Sequence, residues 1–171
     1  MLYVLIGIIV GGIVLDQVSK LLVVQFMELY ESVPLIPNVL HFTYIHNRGA
    51  AFGSMTDKRW LFMIVSTVAI LGLAIYLFRF CRKSSPLTQI ALALIISGGV
   101  GNMIDRVRLE YVIDFIDFCA FPFWTWIFNV ADAFVVVGCG MVILALILDE
   151  VKEAKKKKQK AQEAPHAENN A

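Results

Sequence analysis

The stretch Asn129-Val130-Ala131-Asp132 places an amide and a carboxylate at the head of a strongly apolar run. An ionised carboxylate costs about 2.5 to 3.5 kcal/mol to bring into hydrocarbon, so such residues face a bundle interior and serve chemistry or transport. Further acids stand at Asp16, Asp105, Asp114 and Asp117, with Lys20, Asn102 and Arg106 interspersed. Two carboxylates close together cannot both ionise freely, and they share a proton. The ionised member can take a proton from water while the protonated member donates to a carbonyl oxygen, which is the chemistry of peptide hydrolysis by an acid dyad. Asp132 is one member on this reading. Spacing alone leaves the other open among Asp114, Asp117 and Asp105.

The elements that must position these residues are membrane helices. The chain has 171 residues, 58% of them hydrophobic and 17% charged, and its mean hydropathy of +0.72 is too high for a soluble domain of this size. Four runs approach the roughly 20 apolar residues that cross a hydrocarbon core: Leu2 to Phe26, Trp60 to Phe80, Leu87 to Ile104 and Trp126 to Leu148. The class is therefore an all-α membrane protein of four transmembrane helices over residues 1–148, followed by a charged tail, 149–171. Arg79, Arg82 and Lys83, together with the lysine-rich tail, place both termini on the cytoplasmic side. Lys58 and Arg59 run against this bias but are outnumbered. The first span lacks a basic n-region and a small-x-small cleavage site, so it reads as a permanent helix. The tail carries six lysines against five acids and reads as a solvated, partly disordered extension.

Within this frame, Asp16 and Lys20 are spaced i, i+4 with the acid first, the favoured order for a helical ion pair. Counting about 1.5 Å per residue puts Asp16, Asn102, Asp105, Asn129 and Asp132 in the outer half of the membrane. The outer segment between the first two spans, about 27–59, alternates β-branched and aromatic residues up to Ile45 and predicts a small sheet or hairpin. An exposed strand edge there could take an extended peptide as an added strand. Ser97 and Gly101 form a small-xxx-small pair for close helix contact. Tyr111 to Phe118 is too apolar for a free loop; as a short interfacial helix it would put Asp114 and Asp117 on one face. Phe121, Phe123, Trp124 and Trp126 form an aromatic belt.

Cys81, Cys119 and Cys139 show no disulfide or zinc spacing. His41 and His46 lie an odd number apart in a β-like run and point to opposite faces, so no metal site is expected. The glycines around Gly98 to Gly101 lack the strand and the Lys-Ser/Thr of a phosphate loop, which excludes a nucleotide site there.

The blocks Asp16-Gln17-x-Ser19-Lys20, Asn47-x-Gly49-Ala50-Ala51-Phe52, Gly101-Asn102-x-Ile104-Asp105-Arg106, Val112-x-Asp114-Phe115 and Asn129-x-Ala131-Asp132 resemble, in order and spacing, the motifs of the bacterial lipoprotein signal peptidases, or signal peptidase II. The resemblance covers about Leu15 to Phe134. It implies an intramembrane aspartyl endopeptidase of the bacterial cytoplasmic membrane, with its site toward the outer face. Such an enzyme removes the signal peptide of prolipoproteins just before the lipid-modified cysteine. The resemblance selects Asp114 as the partner of Asp132. Asn47, Gly49, Asn102, Asp105, Arg106 and Asn129 match positions that line or support the substrate site, and Asp16 and Lys20 match its first-helix polar pair. No cofactor and no nucleic acid is implied, and the chain is expected to be a monomer that meets its lipid-modified substrate within membrane lipid.

The competing readings are a small proton-coupled carrier using the same acids as a relay, and an assembly factor whose polar residues only bind helices together. The first requires acids across the membrane thickness, whereas the inner half of every span is uncharged. The second leaves the excess of acids over bases unexplained.

Overall fold

The structure, a computed structural model, describes residues 1–49, 59–81, 84–121 and 123–167. In chain order the elements are α1 (Leu2–Phe26), β1 (Ser32–Ile36), β2 (Leu40–Asn47), α2 (Arg59–Ile75) closing in a π-helical turn (Tyr76–Phe80), α3 (Pro86–Arg108), β3 (Val112–Phe118), β4 (Ile127–Phe128) and α4 (Val130–Ala167). Among the described residues, four helical stretches are long and apolar enough to cross a membrane: Leu2–Phe26, Met63–Phe80, Pro86–Arg108 and Val130–Lys157.

Helix α3 is the centre of the bundle and packs on α1, α2 and α4. Its start is set by Ser85, whose hydroxyl accepts from Thr88 N at 3.2 Å, with Pro86 in the first turn where no N–H is needed. Small residues let the backbones meet. A Cβ on Gly98 would overlap the Ala131 carbonyl oxygen, and one on Gly101 would lie 2.6 Å from Asp16 Oδ2. Close contact at the Ser97/Gly101 face is thus realised, with α4 against Gly98 and α1 against Gly101. On α1 the buried residues Leu5, Gly12, Asp16, Lys20 and Val23 recur every three, four or seven positions and form one stripe. The remaining surfaces of α1, α2 and α4 expose Leu, Ile and Val, as lipid-facing helices do.

The four strands form one antiparallel sheet in the order β1-β2-β3-β4. It packs where α1 ends and α4 begins, through Val23, Met27, Tyr44, Phe115 and Val130. The sheet expected between the first two spans is only half of the one observed, because β3 and β4 come from the α3–α4 connection. Tyr111 to Phe118 is therefore largely strand rather than helix. Its β-branched and aromatic residues satisfy their backbone against β2, with Ile45 opposite Asp114 and His41 opposite Asp117. Asp114 and Asp117, an odd step apart on a regular strand, point to opposite faces and not to one.

Two further differences concern α4. It begins at Val130, not near Trp126, because Ile127 and Phe128 pair with Asp117 and Ile116. The charged tail, expected to be partly disordered, continues the helix to Ala167, carried by good helix formers (Ala, Glu, Lys, Gln) and a Lys152–Asp149 pair at 3.6 Å. Residues 149–157 are exposed. Of the two edge strands, β1 and β4, β1 lies two strands from β3 and is interrupted by Pro34, which disfavours peptide addition to it.

Candidate active site

The N-terminus of α4 is built as a reciprocal cap. Asn129 Oδ1 accepts from Asp132 N at 2.9 Å, and Asp132 Oδ2 accepts from Asn129 N at 3.2 Å. This is the geometry of a capping box, with Asn and Asp where Ser and Glu are common. A third orphan donor of this turn, Ala131 N, is taken by Asp16 Oδ1 of α1 at 2.9 Å. The sequence spacing suggested that Asn129 and Asp132 share a helical face; they are neighbours instead because one caps the other.

Capping leaves the Asn129 amide free to reach outward. Its Nδ2 donates to Asp114 Oδ1 at 2.6 Å and to Asn102 Oδ1 at 3.0 Å. Asn102 Nδ2 in turn donates to Asp132 Oδ1 at 2.7 Å. Asp114 and Asp132 thus hang on one amide pair, with Asn129 touching both. The second oxygen of Asp114 accepts from Asn47 Nδ2 at 2.7 Å. Asn47 is fixed by a turn in which its Oδ1 accepts from Gly49 N at 2.9 Å, and Gly49 sits at φ 92°, a backbone conformation open to glycine. Ala50 to Gly53, the rest of that block, lie outside the described residues.

The basic side of the site is Lys20, only 1% exposed. Its ammonium lies 2.9 Å from Asp16 Oδ2 and 2.8 Å from Asp105 Oδ2, and donates to Asn102 Oδ1 at 3.0 Å. Asp105 also accepts from Ile113 N at 3.2 Å, which ties α3 to β3 one residue before Asp114. Asp16 and Asp105 are therefore engaged by a cation, as the pairing of Asp16 with Lys20 anticipated. Among the described residues, Asp114 and Asp132 make no ion pair. Burial pushes the Asp114 carboxyl up to about 7, with the nearby Asp132 adding to the rise and the Asn47 and Asn129 amides opposing it. Arg106 lies at the margin, its Nη1 donating to the Asn102 carbonyl at 3.4 Å.

The structure separates the acids that spacing left open. Asp105 belongs to Lys20. Asp117 faces away and accepts from Thr43 Oγ1 at 2.8 Å, near His41 and Cys119. Asp114 alone of the three shares a hydrogen-bond partner with Asp132. Gln17 was not singled out, yet its amide bonds Asp105 Oδ1 (2.9 Å), Asp16 Oδ2 (3.2 Å) and the Gly101 carbonyl (3.2 Å). Its place beside Asp16, one step round the helix from the buried stripe, was the available signal.

The buried carboxylates and amines among the described residues are Asp16, Lys20, Asp105 and Asp114, all at this one end of the bundle. They form no relay across the helices, so the carrier reading is not favoured.

Residues 8–148 match the family model described as signal peptidase (SPase) II. The chain is 44% identical over 134 residues to the lipoprotein signal peptidase of Halothermothrix orenii, covering 78% of this chain and 88% of the relative. It is 43% identical over 152 residues to that of Clostridioides difficile, covering 89% and 99%. A solved structure described as a bacterial membrane enzyme, determined by the in meso method, superposes with a TM-score of 0.80 at 32% identity, covering 88% of this chain and 91% of that one. A fold of four apolar helices with a carboxylate pair at one end, matched along this length, leads to one conclusion: the chain belongs to the signal peptidase II family and is an aspartic endopeptidase of the membrane.

Proposed function

We propose that this chain removes the signal peptide from lipoprotein precursors by cutting just before the diacylglyceryl-modified cysteine, with water activated between Asp114 and Asp132. One observation carries the assignment: these two acids share Asn129 and are free of ion pairs among the described residues, whereas Asp16 and Asp105 are held by Lys20.

In this mechanism Asp114, whose burial favours the proton, is the acid. Asp132 stands in the first turn of α4, where backbone N–H groups welcome negative charge, and is the base. Asp132 takes a proton from water as the oxygen attacks the scissile carbonyl carbon. Asp114 gives its proton to the carbonyl oxygen, forming a neutral tetrahedral diol. On collapse Asp132 returns its proton to the departing nitrogen, the C–N bond breaks, and Asp114 recovers a proton from the diol. The products are the signal peptide's new carboxyl group and the amino group of the lipid-modified cysteine. Asn129 and Asn102 hold the two carboxylates in register throughout.

The site faces the outer side of the bacterial cytoplasmic membrane, with both termini inside, as the Lys and Arg distribution supports. The substrate's acyl chains stay in lipid while its cleavage region reaches the sheet end of the bundle, and a monomer suffices because Asp114 and Asp132 come from one chain.

Purified protein given a lipidated and an unlipidated precursor peptide tests this. Asp114→Asn and Asp132→Asn are each expected to lose cleavage by at least about 10²- to 10⁴-fold, the usual weight of general acid–base catalysis. Full activity in either variant overturns the dyad, and equal cleavage of both peptides overturns the lipid requirement.

A further inference from the structure

The sheet carries a second cluster of functional side chains on the face turned away from Asp114. His41 and Asp117 are direct cross-strand partners of β2 and β3. Cys119, two residues beyond Asp117, returns to the same face. One ligating atom from each of His41, Asp117 and Cys119 lies within 4.8 Å of the others, the one such group of three among the described residues. All three side chains are partly exposed. The expectation that no metal is held here rested on the cysteine spacing and on His41 with His46; the two strands' register supplies different partners for His41.

Outer hydrogen bonds orient two of these groups. Thr43 Oγ1 donates to Asp117 Oδ2 at 2.8 Å. Ser32 Oγ lies 3.4 Å from His41 Nδ1 and 2.8 Å from Thr43 Oγ1, so Nε2 is the ring nitrogen left for a ligand. The Cys119 thiol rests 3.5 Å from the Asp117 carbonyl. Hydrogen bonds of this kind, to the atoms of a ligand that do not face the ion, fix the ligands of protein metal sites. A nitrogen, a carboxylate oxygen and a thiol together suit a borderline-soft divalent ion such as zinc, and are a poor match for magnesium or calcium.

We propose that His41, Asp117 and Cys119 form a three-ligand site for a zinc-class divalent ion, with a fourth position open to water. Tetrahedral ligation sets donor atoms about 3.5 Å apart, so side-chain rotations of about an ångström close the site. The Cys119 proton leaves to solvent on binding, since the thiolate is the ligand. The ion would clamp β2 to the end of β3 by side chains as well as backbone. It lies on the strand that carries Asp114 but on the opposite face, so it takes no part in peptide hydrolysis.

The test uses the full chain in detergent with Cys81→Ser and Cys139→Ser, which leaves Cys119 as the single thiol. Titration with Co²⁺ is expected to give a near-ultraviolet thiolate-to-cobalt band that saturates at one equivalent and is displaced by Zn²⁺. One equivalent of Zn²⁺ is expected to slow maleimide labelling of Cys119 at least tenfold. His41→Ala and Asp117→Asn should each weaken both effects at least tenfold. Absence of the band in the parent protein, or a band and protection unchanged in both variants, overturns the site.

Discussion

At the scale of the residue, the decisive property is that Asp114 is only 1% exposed and makes no ion pair among the described residues, although the Lys20 charge acts on it from a distance. Its carboxyl, pushed up to about 7 by burial, is protonated below that pH and loses its proton above it. If Asp114 is the acid, kcat/KM should fall on the alkaline side with an apparent midpoint near 7. The sign for stability is the same: the folded chain holds this proton more tightly than the unfolded one, so Asp114's contribution declines as pH rises from the ordinary carboxyl range toward 7. Asn47 donates to this carboxylate and opposes the rise, so Asn47→Ala should move the alkaline limb to higher pH while lowering kcat. A pH–rate profile of the variant with the limb unmoved would remove Asn47 from this role. The sequence made the acids legible as a class, because ionisable residues in apolar runs are few. It did not reveal that Asp105 is claimed by Lys20 or that Asp117 turns away, since both depend on where distant strands and helices meet; the family resemblance, not spacing, selected Asp114.

Elements act here through how closely they approach. Helices α3 and α4 meet at Gly98, where an added methyl would collide with the Ala131 carbonyl, a backbone atom that cannot rotate aside. Gly98→Ala should therefore destabilise the fold by about 1–3 kcal/mol and shift the α4 cap away from Asn102. Gly72→Ala on α2 meets nothing within 4 Å and should leave stability unchanged or slightly raised. Thermal unfolding in detergent separates the two, and equal losses would contradict the packing account. The helices were readable because length and hydropathy define a span almost alone. The stretch from Tyr111 to Phe118 was not. Its apolar run with two acids suits an interfacial helix as well as a strand, and only the presence of β2 as a partner decides between them. The start of α4 was misplaced for the same reason: Ile127 and Phe128 are apolar enough to extend a span but are taken by β3.

For the whole molecule, Asp16 is the residue that joins first helix to last. It is fully buried, faces Lys20, and receives Ala131 N. Asp16→Ala leaves that N–H without its acceptor and Lys20 with Asp105 as its one remaining carboxylate beside the Asn102 amide, so it should cost about 3 kcal/mol and lower cleavage together with stability. Asp16→Asn keeps an acceptor of the same size and should recover part of both; a stable but inactive Asp16→Asn would instead give the charge a role in the chemistry. The bond from Ala131 to Asp16 closes over a separation of 115 residues. Synthesis runs from the N-terminus, so Asp16 and Lys20 are made before the turn that they later meet. The cap on α4, and with it the placement of Asp132, is completed only when the last helix arrives. If Asp132 is the base proposed above, cutting activity waits on the fourth helix, and a polypeptide released before that helix is expected to show no cleavage.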